Sequence, residues 1–172
     1  MLVFQYGSNM SSKRLNSSER LDGDAQRIGI AQTADPYMLC FPVWSNTNSC
    51  AAASISPNPD GRPIFGVLYE IPDSLVYRQE AKTLNRKSLD AIEGEGANYV
   101  RTKIDAVQSY GAVISATTYV AKRAGPELKT SADYARHILM GLAENDMPPA
   151  YRAYVAACIA QSNPELGGMV EE

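Results

Sequence analysis

The 172-residue sequence predicts an α+β fold: a small mixed or antiparallel β-barrel with flanking helices, two of them C-terminal. Three observations predict it. Short runs rich in apolar, β-branched and aromatic residues recur along the first 120 residues, punctuated by Asp35-Pro36, Pro57-Asn58-Pro59-Asp60-Gly61 and Ser109-Tyr110-Gly111, so that neighbouring strands reverse direction through short connections. Beyond Ser131 the apolar residues change to helical spacing. The chain is long enough to bury a core without metal or disulfide staples, and it carries no repeat, low-complexity tract or linker, so residues 1–161 form one domain and residues 162–172 a flexible tail.

The elements follow in order. Leu2–Gln5 is an apolar strand that breaks into the turn Tyr6-Gly7-Ser8-Asn9-Met10, because glycine tolerates positive φ while serine and asparagine bond locally to the backbone. Several backbone N–H groups in such a turn lack partners and converge, which makes an anion cradle. Ser11 caps a short helix over Ser12-Lys13-Arg14-Leu15, whose N-terminus adds partial positive charge to the same place. Strands are expected over residues 27–34, 37–43, 51–56, 64–71, 100–107 and 112–120. The polar stretch from Asp73 to Ser88 is either a helix with a break that walls a pocket or a surface loop. Leu89-Asp90-Ala91-Ile92-Glu93-Gly94 is a short helix with an acidic side chain at its end, just before Tyr99-Val100-Arg101. Ser131 caps a helix from Ala132 to about Glu144 that turns Tyr134 inward, and Pro148 or Pro149 opens another to about Gln161. From Ser162 onward, Pro164, Gly167 and Gly168 predict fraying.

Composition removes several classes of function. A net charge of -3 without a Lys/Arg run gives no field for nucleic acid. The N-terminal apolar run is too short for a signal peptide or membrane helix, so a cytoplasmic protein without membrane association is expected, as monomer or homodimer. Cys40, Cys50 and Cys158 form no CxxC pair, and with His137 as the one histidine neither a disulfide framework, a zinc site nor a Cys/His nucleophile pair is indicated. Ten tyrosines against three phenylalanines and one tryptophan supply apolar bulk with polar tips, suited to lining a pocket.

The YGSN turn and the LDxxEG segment, in this order, resemble the gamma-glutamylcyclotransferase family. The likeness extends through Gly66-Val67-Leu68-Tyr69-Glu70-Ile71, Thr118-Tyr119-Val120, Ser131-Ala132-Asp133-Tyr134 and Met147-Pro148-Pro149-Ala150-Tyr151, from about Phe4 to about Cys158. It implies that the free α-amine of a γ-glutamyl group attacks its own side-chain carbonyl, yielding 5-oxoproline and a released amine. Because nucleophile and electrophile share one molecule, no Ser or Cys nucleophile and no cofactor are needed. The substrate implied is a γ-glutamyl amino acid or dipeptide. The alternatives are a γ-glutamylamine, hydrolysis of another amide, or a binding module without chemistry. The glutathione-specific branch, with YGSL in place of a loop ending in Asn9, is less similar.

Roles follow from the resemblance. Glu93 is the general acid/base, since a carboxylate raised by burial can take the ammonium proton and pass it to the departing nitrogen. Its competing reading is an acid near a helix end that either faces solvent or pairs with Lys87 or Arg101. Glu95, two residues on, points to the opposite side of an extended segment and is expected outside the pocket. Tyr6, Gly7, Ser8, Asn9 and Met10 are the substrate-binding turn, Tyr6 with a largely structural part and Asn9 either touching substrate or tying the turn. Tyr99 and Tyr134 are pocket tyrosines, with core packing as the competing reading for each.

Overall fold

The computed structural model describes residues 1–169. The strands are β1 (Leu2–Gln5), β2 (Gln26–Thr33), β3 (Tyr37–Ser45), β4 (Cys50–Pro57), β5 (Phe65–Glu70), β6 (Tyr99–Gln108) and β7 (Val113–Ala121), and the helices α1 (Ser12–Leu15), α2 (Arg78–Thr83), α3 (Leu89–Glu93), α4 (Ala132–Glu144) and α5 (Pro149–Ser162). Five strands close a barrel in the order β1-β5-β2-β6-β7. Its pairings are antiparallel except the closing one, where Val3 of β1 lies parallel to Thr117 of β7, so the barrel is mixed.

β3 and β4 stand apart as a two-stranded sheet. Their ladder breaks between Cys40 and Val43, around Pro42, which has no N–H to give. The outer edge of β3 is covered by side chains: the Leu39 N–H donates to the Tyr154 hydroxyl at 3.1 Å and the Phe41 N–H to Glu127 Oε2 at 2.9 Å. Cys50 to Ile55 of β4 are all buried, and at Ala53 two tyrosine hydroxyls reach the strand's backbone.

The core takes in Val3, Phe4, Val67, Leu68 and Tyr69 from the barrel strands and continues under α4 through Ala135, Ile138 and Leu142. Gly141 lets α4 come down on the turn after β1: a Cβ there would lie 2.8 Å from the Met10 Cβ and 3.1 Å from the Ser11 nitrogen. The contact is secured by Asn145, whose side-chain amide donates to the Met10 carbonyl at 3.1 Å, and by Glu144, which accepts from the Ser11 hydroxyl at 2.6 Å and the Ser12 N–H at 2.8 Å.

The segment from Asp73 to Ser88 is a broken helix, a 3-10 turn at Asp73–Leu75 followed by α2, and it does not wall the pocket. It buries Leu75, Val76 and Ala81 and reaches α3 through Arg78. The tail departs from expectation: Pro164–Met169 forms a 3-10 turn, because Asn163 is fully buried and Leu166 packs against the core. Residues 170–172 lie outside the described residues.

Candidate active site

The chain brings its two motifs together across 84 residues. Glu93 Oε1 accepts hydrogen bonds from the Asn9 amide at 2.8 Å and the Gln5 amide at 3.0 Å, so the acid from the middle of the sequence faces the turn that ends β1. Around them lies a cleft of about 260 Å³, lined by Gln5, Tyr6, Gly7, Ser8, Asn9, Arg14, Arg20, Glu93, Tyr99 and Tyr134 and rimmed by the β3–β4 hairpin tip at Ser45, Asn46, Thr47 and Asn48.

Glu93 is held by the short helix it ends. Ser88 caps α3 by accepting from the Ala91 N–H at 3.1 Å, and Gly94 closes it at φ +70°, a conformation that side chains with a Cβ rarely adopt. Three residues before Glu93, the buried Asp90 carboxylate accepts two hydrogen bonds from Arg101 Nη1, at 2.7 and 2.6 Å, and one from the Tyr119 hydroxyl at 2.7 Å. Arg101 in turn stacks 4.6 Å over the Tyr77 ring. Arg78 fastens the exit of the helix by donating to the Asp90 and Glu95 carbonyls at 2.8 and 2.7 Å. The Arg101 partner of the competing reading therefore belongs to Asp90, and Glu95 lies outside the cleft.

Burial pushes the Glu93 carboxyl above the usual carboxylate range, while the Asn9 and Gln5 amides and then the Arg20 and Arg14 guanidiniums pull it back. The acid is poised to exchange a proton nearer neutrality than an exposed glutamate.

The turn differs from expectation in three ways. Ser8–Met10 is a 3-10 turn, and Gly7 sits at φ −109°, so positive φ is not what calls for glycine there. A Cβ on Gly7 would lie 3.6 Å from the Ala53 Cβ and 3.9 Å from the Tyr134 oxygen, at the cleft wall, which makes its lack of side chain a matter of room for a ligand. Met10 does not line the cleft; it is fully buried beneath Gly141, and its carbonyl accepts from the Tyr69 hydroxyl at 2.9 Å. The N-terminus of α1 is also spoken for, since Glu144 takes the Ser12 N–H. What stays open is the edge of the turn: among the described residues, none accepts from the backbone N–H of Gly7, Ser8 or Asn9.

The tyrosines divide. Tyr6 is structural, its hydroxyl donating to the Tyr119 carbonyl at 2.5 Å. Tyr99 donates to the Ala53 carbonyl at 2.7 Å, whereas the Tyr134 oxygen accepts from the Ala53 N–H at 3.1 Å. Tyr99 thus ties β4 to the barrel strand β6 and Tyr134 ties it to α4, but Tyr99 has used its proton. Tyr134 gives its own to no backbone group among the described residues, and burial raises its pKa, so it stays a proton donor.

A family model described as "Gamma-glutamyl cyclotransferase, AIG2-like" matches residues 3–136. The chain belongs to that family. No curated protein matches the sequence at a significant level. Among solved structures, one titled "Gamma-glutamyl cyclotransferase" is similar at 20% identity and a TM-score of 0.73, covering 99% of this chain and 97% of that one. An uncharacterized protein from Homo sapiens is similar at 23% identity and TM-score 0.74, covering 99% and 98%. YkqA from Bacillus subtilis is similar at 21% identity and TM-score 0.68, covering 95% of this chain and 54% of that one. These likenesses give this AIG2-like chain its fold.

Gln5, Arg14 and Arg20 line the cleft without having been given a role in the sequence, and Asp90, paired with Arg101, anchors the helix behind it. Asp90 carried a usable signal, since it lies one helical turn before Glu93 and must share its side of α3. Arg14 and Arg20 carried none, because a helix of one turn followed by a bend fixes no facing pattern. Among the described residues no group of His, Cys, Asp and Glu side chains is arranged to hold a metal, and no helix is long and apolar enough to cross a membrane.

Proposed function

We propose that this protein is a cyclotransferase that closes a γ-glutamyl amide to 5-oxoproline and releases the amine. The observation that carries the reading is the Glu93 carboxyl facing the β1 turn, held there by Asn9 and Gln5 in a cleft that raises its proton affinity. Glu93 takes a proton from the substrate α-ammonium. The freed amine forms a bond to its own γ-carbonyl carbon, the bond to the departing nitrogen breaks, and Glu93 returns the proton to that nitrogen. One carboxyl serves both transfers, worth roughly 10²–10⁴-fold together.

The free N–H groups of Gly7, Ser8 and Asn9 supply a place for the α-carboxylate, which folds the γ-glutamyl chain so that amine and carbonyl meet. Tyr134, whose hydroxyl gives its proton to no backbone group among the described residues and lies beside the Ser8 side chain, is suited to the oxygen that gains charge as the ring closes. Asn9 is a positioning residue in this scheme, since its amide holds Glu93 and its oxygen accepts from Arg20 Nη1 at 3.1 Å.

The test is incubation with a panel of γ-glutamyl compounds, following 5-oxoproline by mass spectrometry, for the native protein and Glu93→Gln. Native protein is expected to form 5-oxoproline, and Glu93→Gln to lose it while staying folded. Free glutamate in place of the lactam would mark a hydrolase, and full activity of Glu93→Gln would remove the carboxyl from the mechanism.

A further inference from the structure

The cleft holds a cation that no described residue meets with a hydrogen bond or an ion pair. Arg14 lines it from α1, yet among the described residues its guanidinium makes neither a hydrogen bond nor an ion pair. Its Nε is buried without an acceptor. A surface arginine would relieve that cost by turning to water, so a side chain kept inward under it is held for a partner still to come. Arg20 lies beside it close enough for the two charges to repel, and Arg20 is engaged with Asn9. Glu93 is within the field of both but within ion-pair distance of neither. Arg14, Arg20 and Glu93 are the charged residues of the lining, which leaves one positive charge in excess in a protein whose net charge is -3.

We infer that Arg14, flanked by Arg20, binds a carboxylate on the leaving group, so that the preferred substrates are γ-glutamyl amino acids and peptides over γ-glutamylamines. The inference rests on the cyclotransferase reading. A γ-glutamyl amino acid has two carboxylates and one ammonium, and its net negative charge complements the excess positive charge of the cleft; a γ-glutamylamine is neutral overall and does not. The α-carboxylate already has the three free amides of the turn. A second carboxylate has, in this cleft, no cation except the arginines, and a guanidinium fork suits it in shape as well as charge.

The decisive comparison uses γ-glutamyl-alanine and γ-glutamyl-alaninamide, which differ by one charge on the leaving group. Native protein is expected to favour the acid about tenfold or more in kcat/KM, as loss of a charge-assisted contact implies. In Arg14→Gln that ratio is expected to fall to within about threefold of one, while Arg14→Lys, which keeps the cation, retains part of it. A native ratio near one overturns the inference without recourse to any variant that might fail to fold. So does an Arg14→Gln protein that loses activity on both substrates equally, since Arg14 would then serve the γ-glutamyl end common to them. If neither compound yields 5-oxoproline, the cyclotransferase reading itself fails; if both do with equal efficiency, that reading stands and only the role of Arg14 falls.

Discussion

Replacing Asp90 by asparagine tests how the acid of the cleft is kept in place. The carboxylate has a side chain only 6% exposed, while Arg101 is 29% exposed. Breaking a fully buried ion pair by removing one partner costs roughly 3–5 kcal/mol. Arg101 can turn partly to water, which lowers its share, but the Tyr119 hydroxyl is buried and donates to the same oxygen at 2.7 Å. An asparagine offers one acceptor to two donors and presents an amide to the other, so one buried donor goes unmet at about 1–3 kcal/mol. A loss of about 3 kcal/mol follows, or a Tm lower by about 6–12 °C for a chain of this size. Urea and thermal unfolding measure it, and a cycle with Arg101→Gln is expected to show coupling above about 1 kcal/mol. Because Asp90 lies one turn before Glu93, kcat on a γ-glutamyl substrate should fall as well, by about tenfold to a hundredfold if Glu93 shifts by an ångström. A stability loss under about 1 kcal/mol with no coupling to Arg101 would refute the anchoring role.

Two further predictions use the same cleft. Tyr99→Phe leaves the Ala53 carbonyl without its donor and is expected to cost about 1–3 kcal/mol of stability with modest effect on kcat, whereas Tyr134→Phe, which removes the hydroxyl facing the cleft, should lower kcat by about tenfold or more with a smaller change in Tm; the reverse pattern would exchange their roles. The raised pKa of Glu93 has a sign for stability too: the folded state holds the proton more tightly than the unfolded chain, so its contribution weakens as pH rises past the ordinary glutamate range. Glu93→Gln, having no such titration, should therefore gain in Tm relative to the native protein between pH 4 and pH 8, and a constant difference across that range would contradict the burial.

Much of the architecture is legible because it is local. Each strand run and each cap depends on neighbours in sequence: Ser11, Ser88 and Ser131 all accept from the N–H three residues on, as helix-capping chemistry requires. What escapes the sequence is partnership. Nothing in the composition of β3 and β4 separates them from the barrel strands, because alternation tells which way a residue faces and not which strand lies beside it. Closure depends on one parallel contact between Val3 and Thr117, 114 residues apart. Of the site, Glu93 and the turn are legible through their motifs, while Met10 is misread because the same five residues that make the bend must also bury one side chain under α4. Arg14 is hidden for the opposite reason: an arginine on a one-turn helix looks solvent-facing until the fold closes over it.

The N-terminus of α1 bears on the role proposed for Arg14. The first donors of this one-turn helix are not open to a ligand, because Glu144 accepts from both the Ser11 hydroxyl and the Ser12 N–H. That bond serves packing, since it pins the turn to the end of α4 next to the Gly141 contact. What the cleft offers an anion is then the three free amides of the turn and the side chains of Arg14 and Arg20. Arg14 projects from that helix into the cleft, and its guanidinium could offer a carboxylate a directed, two-pronged contact, as the inference above requires. A fixed turn and an adjustable cation suit a site where the γ-glutamyl end is constant and the group that leaves can vary.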